Sequence, residues 1–178
     1  MDVITLGLGG IVLLFVAVVA VGLLMPERYA GRSEVTYAKP VEAVWDALLD
    51  YDKHPMTGKM KRSVQAYTSK YDMPAWIEDM GSDTVTVETI EAVRPHHMVR
   101  EMTSKAVPMT SRWQYTLDPA GEGCTLAIDA STYIRSGTWH VPIFRVMMVL
   151  GGGVKKGLDD QMDMVAATLG VEARRGST

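Results

Sequence analysis

The run PIFRVMMVLGGGVKKGLDDQMDMVAATL, residues 142–169, decides how this chain is read. Ile143, Met147, Leu150, Val154, Leu158, Met162, Val165 and Leu169 recur every three or four positions, the stripe of an amphipathic helix. The run predicts one terminal helix of about 28 residues, roughly 40 Å long at 1.5 Å per residue. Gly170 follows as its stop. Gly151, Gly152 and Gly153 interrupt the stripe, although each glycine inside a helix costs roughly 0.5–1 kcal/mol relative to alanine. Two readings stay open. The glycines are either a kink or hinge in a single helix, leaving volume beneath it, or a plain break between two helices.

Upstream of this run, residues 63–134 form short extended segments separated by Gly, Asp, Pro and Ser clusters, which predict successive antiparallel strands. DPAGEG (118–123) and GSD (81–83) are the turn signals. Alternation places Trp113, Tyr115 and Leu117 on one face, and Leu126, Ile128 and Ala130 on one face, so the sheet has an apolar and a wet side. Before the strands, residues 33–37 predict a strand. Pro40 opens a helix whose apolar face is Val41, Val44, Trp45 and Leu48, and Pro55 closes that unit. Strand, helix, many strands and a terminal helix make an α+β domain.

Residues 3–25 carry no charge, enough to span a ~30 Å hydrocarbon core. A cleaved signal peptide fits less well: the stretch is too long, it starts with Asp2, and no small-residue cleavage site follows. Arg28, Arg32 and Lys39 follow the span and predict a cytoplasmic domain. The expectation is a single-pass protein of a bacterial inner membrane, with a periplasmic domain as the alternative orientation. The divisions are an anchor at 1–28, a domain at 29–171 and a flexible tail at 172–178.

The segments RSEVTYAKPVEAVWDALLDYDKHP (32–55), VETIEAVRPHHMVREM (87–102) and WQYTLDPAGEGCTLAID (113–129) resemble the START-like, or SRPBCC, superfamily of polyketide cyclases, Bet v 1 and START lipid-binding domains. Membrane-tethered members with a span just before the first strand are similar too. The resemblance implies a helix-grip fold, a curved antiparallel sheet around a long C-terminal helix, with an apolar ligand held between them. It carries over no universal catalytic residue. Methionine is frequent, 13 residues, and its adaptable thioether suits an irregular guest. Trp76, Met80, Met102, Trp113, Tyr115, Met147 and Met162 are the expected ligand-lining residues, and Gly151–Gly153 the expected gate. Ordinary core filling is the competing reading for each.

Glu78 shares its alternation with Trp76 and Met80. If that face points inward, the carboxylate is a candidate general acid or base with a raised pKa; if outward, it is only wet. Arg100 and Asp129 have the same ambiguity. Trp139, with Lys59, Lys61 and Arg62 from GKMKR (58–62), could form an edge that docks on anionic headgroups.

Other chemistry finds little support. A net charge of −3 without a basic stripe argues against nucleic acid. Cys124 is the only cysteine and reads as a small buried hydrophobe. His54, His96, His97 and His140 lack metal-ligand spacing. GGGVKKG lacks the Ser/Thr and the preceding strand of a phosphate-binding loop, and no G-x-S-x-G is present. No cofactor or metal is expected. The partners are a lipid or other hydrophobic small molecule and the bilayer. A membrane-anchored binding or transfer protein is the leading reading. A cyclase/dehydratase- or hydrolase-type enzyme using the same cavity, and a membrane assembly protein, are the alternatives.

Overall fold

The computed structural model describes residues 3–175, with side chains from residue 8 onward except that of Lys59. A helix α1 (Val3–Leu24) leads into strand β1 (Arg28–Tyr37) and helix α2 (Val41–Leu49). Strands β2 (Ser63–Thr68), β3 (Pro74–Asp79), β4 (Thr84–Val93), β5 (His97–Ser104), β6 (Met109–Ala120) and β7 (Gly123–Ile134) follow. Two helices, α3 (Val141–Leu150) and α4 (Gly153–Leu169), end the chain. All strand pairs are antiparallel, in the order β1-β7-β6-β5-β4-β3-β2. β1 begins at Arg28, earlier than the expected Ser33, because β7 is long enough to pair with it along its full length.

The terminal helix is not one rod. Gly152 and Gly153 adopt φ of 95° and 65°, a region that L side chains avoid, and α3 and α4 are separate helices. The glycines are therefore a break rather than a bend within a continuous helix, and the long helix of the sequence reading is corrected to 17 residues of α4.

Of these two terminal helices, α4 is the one gripped by the sheet. One row across the sheet explains how it comes so close: Gly31, Ala130, Trp113, Arg100 and Thr89 are successive cross-strand partners on β1, β7, β6, β5 and β4. A Cβ on Gly31 would lie 3.2 Å from a Val154 methyl, and one on Gly157 would lie 3.8 Å from the Trp113 ring. Glycine at 31 lets the helix backbone come close to β1, whereas a side-chain carbon at 157 would make only ordinary contact with Trp113. Leu158, Met162 and Val165 are fully buried against Val35, Tyr37, Tyr115 and Leu126. The Tyr37 hydroxyl donates to the Met162 carbonyl at 2.9 Å. Burial drives this layer, at about 25 cal/mol per Å² of apolar surface removed from water.

α3 packs elsewhere. Its neighbour is α1, and Gly22 sits so close to Pro142 that a side chain there would collide with the Pro142 carbonyl. Arg145 of α3 is buried and donates to Glu27 Oε1 at 3.1 Å, the Ile134 carbonyl at 2.7 Å and Ser136 Oγ at 3.0 Å. Glu27 also accepts from Ser136 N–H and the Tyr133 hydroxyl; with the Ser136 hydroxyl leading, these bonds hold its carboxyl down to about 2. α1 is thereby locked to the domain through a three-residue connection.

Among the described residues no helix is long and apolar enough to cross a membrane. The part of α1 with described side chains, residues 8–24, is short for a crossing, although the backbone helix extends to Val3. The tail expected to be flexible is tied down as far as it is described. Arg174 exchanges backbone hydrogen bonds with Thr36 at 2.9 and 3.2 Å, and Arg175 pairs with Asp163 at 2.6 Å; residues 176–178 lie outside the described residues.

Candidate functional site

The inward face of β3–β6 meets α4 and the segment after α2, and there the polar side chains of the interior collect. Trp76, Glu78, Thr89, Arg100 and Tyr115 each alternate with residues of the outer face and are all buried. The open question about β3 is thus settled: Glu78 and Trp76 point inward, facing Val85 and Val87 across the β3–β4 ladder. Asp129 points outward and pairs with Arg32 at 2.6 Å.

Glu78 is saturated. Its Oε1 accepts from Met56 N–H at 2.8 Å and Trp76 Nε1–H at 2.6 Å; its Oε2 accepts from Thr57 N–H at 2.8 Å and the Thr57 hydroxyl at 2.5 Å. A carboxylate offers about four lone-pair sites, and all are taken by the chain itself. The expected acid–base candidate is therefore a tether that folds residues 56–57 against β3, with no oxygen left for a substrate proton.

Arg100 is the opposite case. It is fully buried, and only Nη2 has a partner, the Leu48 carbonyl at 2.7 Å. Its guanidinium lies 5.0 Å from the Trp76 ring centre and 5.2 Å from that of Tyr115, cation–π contacts that compensate part of its lost hydration. Nε and Nη1 are without partners among the described residues, as are Thr89 Oγ1 directly across the ladder and Gln161 Nε2 on α4. Gln161 Oε1 accepts from the Tyr115 hydroxyl at 3.0 Å, and burial pushes that hydroxyl's pKa up. The cluster presents unspent N–H donors inside an apolar shell of Trp76, Met98, Met102, Trp113 and Leu158. Sequence reading noted Arg100 only as ambiguous and overlooked Gln161 and Thr89. The legible signal was Arg100 sharing a face with Met98 and Met102.

Of the expected lining residues, Trp76, Met102, Trp113, Tyr115 and Met162 come together in one core, with Met80 packed at its margin. Met147 does not: it is 60% exposed on α3, because the chain breaks before α4 and carries α3 off to α1. The expected docking edge is not one edge either. Trp139 is 74% exposed and follows β7, whereas Lys61 and Arg62 precede β2 at the far side of the strand order. Lys61 is spent on Asp52 at 2.9 Å, Arg62 covers Gly81, and the Lys59 side chain lies outside the described residues. Among the depressions of the described residues are ones of about 550, 280 and 300 Å³. All three are on outer surfaces, the largest over Arg32, Arg112, Gln114 and Asp129. None of these three lies between sheet and helix, where α4 approaches β1 at Gly31 and buries Leu158, Met162 and Val165.

This gripped helix is found in known proteins. Residues 31–170 match the family described as polyketide cyclase/dehydrase and lipid transport. The chain belongs to that family. It is thereby a member of the START-like superfamily. Solved structures share the fold at low identity. A conserved protein from Geobacillus kaustophilus aligns with a TM-score of 0.65 and 14% identity, covering 84% of this chain and 100% of that one. The Zhui aromatase/cyclase from Streptomyces sp. R1128 aligns at 0.59 and 17%, over 79% and 93%. A truncated norcoclaurine synthase from Thalictrum flavum aligns at 0.58 and 10%, over 80% and 93%. No curated protein sequence matches the chain. In this member of the family, the interior polar cluster centres on Arg100.

Proposed function

We propose that this family member is a membrane-anchored binding or transfer domain for an amphiphilic small molecule, an apolar body carrying an anionic or strongly hydrogen-bond-accepting group. The observation that carries the reading is Arg100, a buried cation with two unpartnered nitrogens and no salt bridge among the described residues. An unpaired charge in a protein interior costs several kcal/mol, so it marks a place where an anion is to be received. Gln161 Nε2 and Thr89 Oγ1 supply further polar contacts, and the surrounding aromatic and thioether side chains suit the apolar body. Entry requires α4 or the 50–62 segment to separate from the sheet. The break at Gly152 and Gly153 leaves α4 attached to α3 only by a glycine joint, which supports a gating role for Gly151–Gly153.

The anchor is α1. Its helix is uncharged, and Ile11, Leu13, Leu14, Phe15 and Leu24 are at least half exposed around its circumference, a surface that water does not tolerate at this size. The positive flank at Arg28, Arg32 and Lys39 supports a cytoplasmic domain. The cyclase or hydrolase reading has less support, since the interior carboxylate Glu78 is committed to the fold.

The test is binding of a long-chain fatty acid against the matched fatty alcohol by the full chain in detergent, for wild type and Arg100→Met. Wild type should prefer the acid by at least ~10-fold, about 1.4 kcal/mol, and the variant should lose that preference while staying folded. Equal binding of both probes by wild type overturns the reading.

A further inference from the structure

α3 carries ten residues and one charge, and that charge is turned inward. Arg145 is only 2% exposed and is held by Glu27, Ile134 and Ser136, so the outer surface of α3 is apolar. Met147 is 60% exposed, Val149 44% and Leu150 82%, and Trp139 just before the helix is 74% exposed. Isolated exposed hydrophobes are ordinary, but these belong to one short helix packed directly on α1. The half-buried Val18 and Val19 and the buried Gly22 mark the face of α1 that α3 covers; the other residues of that helix from Leu8 to Leu24 are exposed. The apolar surfaces of α1 and α3 are therefore continuous. The Glu27–Arg145 junction and the Gly22–Pro142 contact fix the angle between them.

We propose that α3 is a membrane-interfacial helix that seats the domain on the bilayer, its exposed apolar residues entering the headgroup and upper acyl region beside α1. The occupant is lipid rather than a protein partner because the apolar surface of α3 runs without interruption into the uncharged helix, and Trp139 is the residue type that prefers that depth. A ten-residue helix is about 15 Å long, too short to span but long enough to lie in the interface. The inference rests on α1 being a membrane anchor. It adds that the domain is docked on the bilayer through α3 rather than hanging from a tether.

The experiment labels single cysteines with an environment-sensitive fluorophore in a Cys124→Ala background of the full chain. The sites are Leu13→Cys in α1, Met147→Cys and Leu150→Cys in α3, and Lys156→Cys in α4. Each chain is reconstituted in phosphatidylethanolamine/phosphatidylglycerol vesicles containing lipids with a nitroxide near the headgroup or near the chain end. The labels at 147 and 150 should be quenched by the shallow nitroxide at least ~3-fold more than the label at 156, and the label at 13 by the deep one. Quenching at 13 with 147 and 150 as accessible to aqueous iodide as 156 overturns the docking of α3 and leaves the anchor standing. Shielding of 147 and 150 from both nitroxide and iodide identifies a protein–protein face and also overturns it. Absence of lipid quenching at 13 overturns the anchor, and with it the docking that rests on it.

Discussion

Thr57 donates twice to one oxygen of Glu78: its amide at 2.8 Å and its hydroxyl at 2.5 Å both reach Oε2. With Met56 N–H and Trp76 Nε1–H on the other oxygen, a buried carboxylate organises the segment that closes over the sheet between α2 and β2. Glu78→Gln replaces one acceptor oxygen by an amide nitrogen and leaves at least one N–H opposed by another. It should cost about 2–4 kcal/mol, with Glu78→Ala costing more, because buried donors are then left without partners. Urea denaturation of the full chain followed by tryptophan fluorescence measures both. An unchanged midpoint for the glutamine variant would refute the tether role.

The break between α3 and α4 gives a second expectation. Gly152→Ala places a Cβ at φ 95° and 2.9 Å from the Lys156 Cβ, so it should destabilise by about 1–2 kcal/mol. Gly151 has φ −77°, a value any residue adopts, and Gly151→Ala should cost less. The ratio of the two variants' denaturation midpoints separates backbone strain from crowding. Equal losses would show that φ is not the cause.

His54 predicts a pH dependence. Burial leads its shift and pushes its pKa below the ordinary 6.5, while its ring bonds the Asp50 carbonyl at 3.0 Å and the Thr168 hydroxyl at 2.8 Å. The unfolded chain then binds more protons than the native one between the two pKa values, so stability rises with pH there. The contribution is complete above about pH 6.5 and declines as pH falls from 6.5 towards the lowered native pKa. Melting temperatures of wild type and His54→Asn should converge as pH drops through this window. Parallel curves would exclude His54 as the source.

Cys124 has no exposed surface, and burial raises its thiol to about 11. In the folded chain it should react with a disulfide reagent at neutral pH at least ~100-fold more slowly than in denaturant, since the thiolate is the nucleophile and it is both scarce and covered. Comparable rates in the two states would place it at the surface.

Alternation along the strands was enough to place Trp113, Tyr115 and Leu117, and Leu126, Ile128 and Ala130, on the buried face, because the side-chain period of a strand is two and one face of this sheet is covered. The same periodicity could not choose a side for Trp76 and Glu78, or for Arg100: each segment has credible apolar residues on one face and polar residues that fit either. That choice came from the ladder, where β3 faces Val85 and Val87 of β4. The glycine run was legible as an interruption, but the departure of α3 towards α1 was not, since nothing local says which of two apolar surfaces a short helix will join.

Order and type of the elements, the apolar stripe of α4, the uncharged first helix and the family resemblance were all in the sequence, because each depends on neighbours within a few residues or on a periodic pattern. Which polar atoms of the interior remain unspent was decided only in three dimensions. Glu78 meets its donors from residues 56 and 57, and Arg100 finds one carbonyl at Leu48, across separations that no local rule encodes. Hydrogen-bond satisfaction is counted between atoms brought together by the fold, so a buried carboxylate filled by its own chain and a buried guanidinium left with donors to spare look alike until that fold exists.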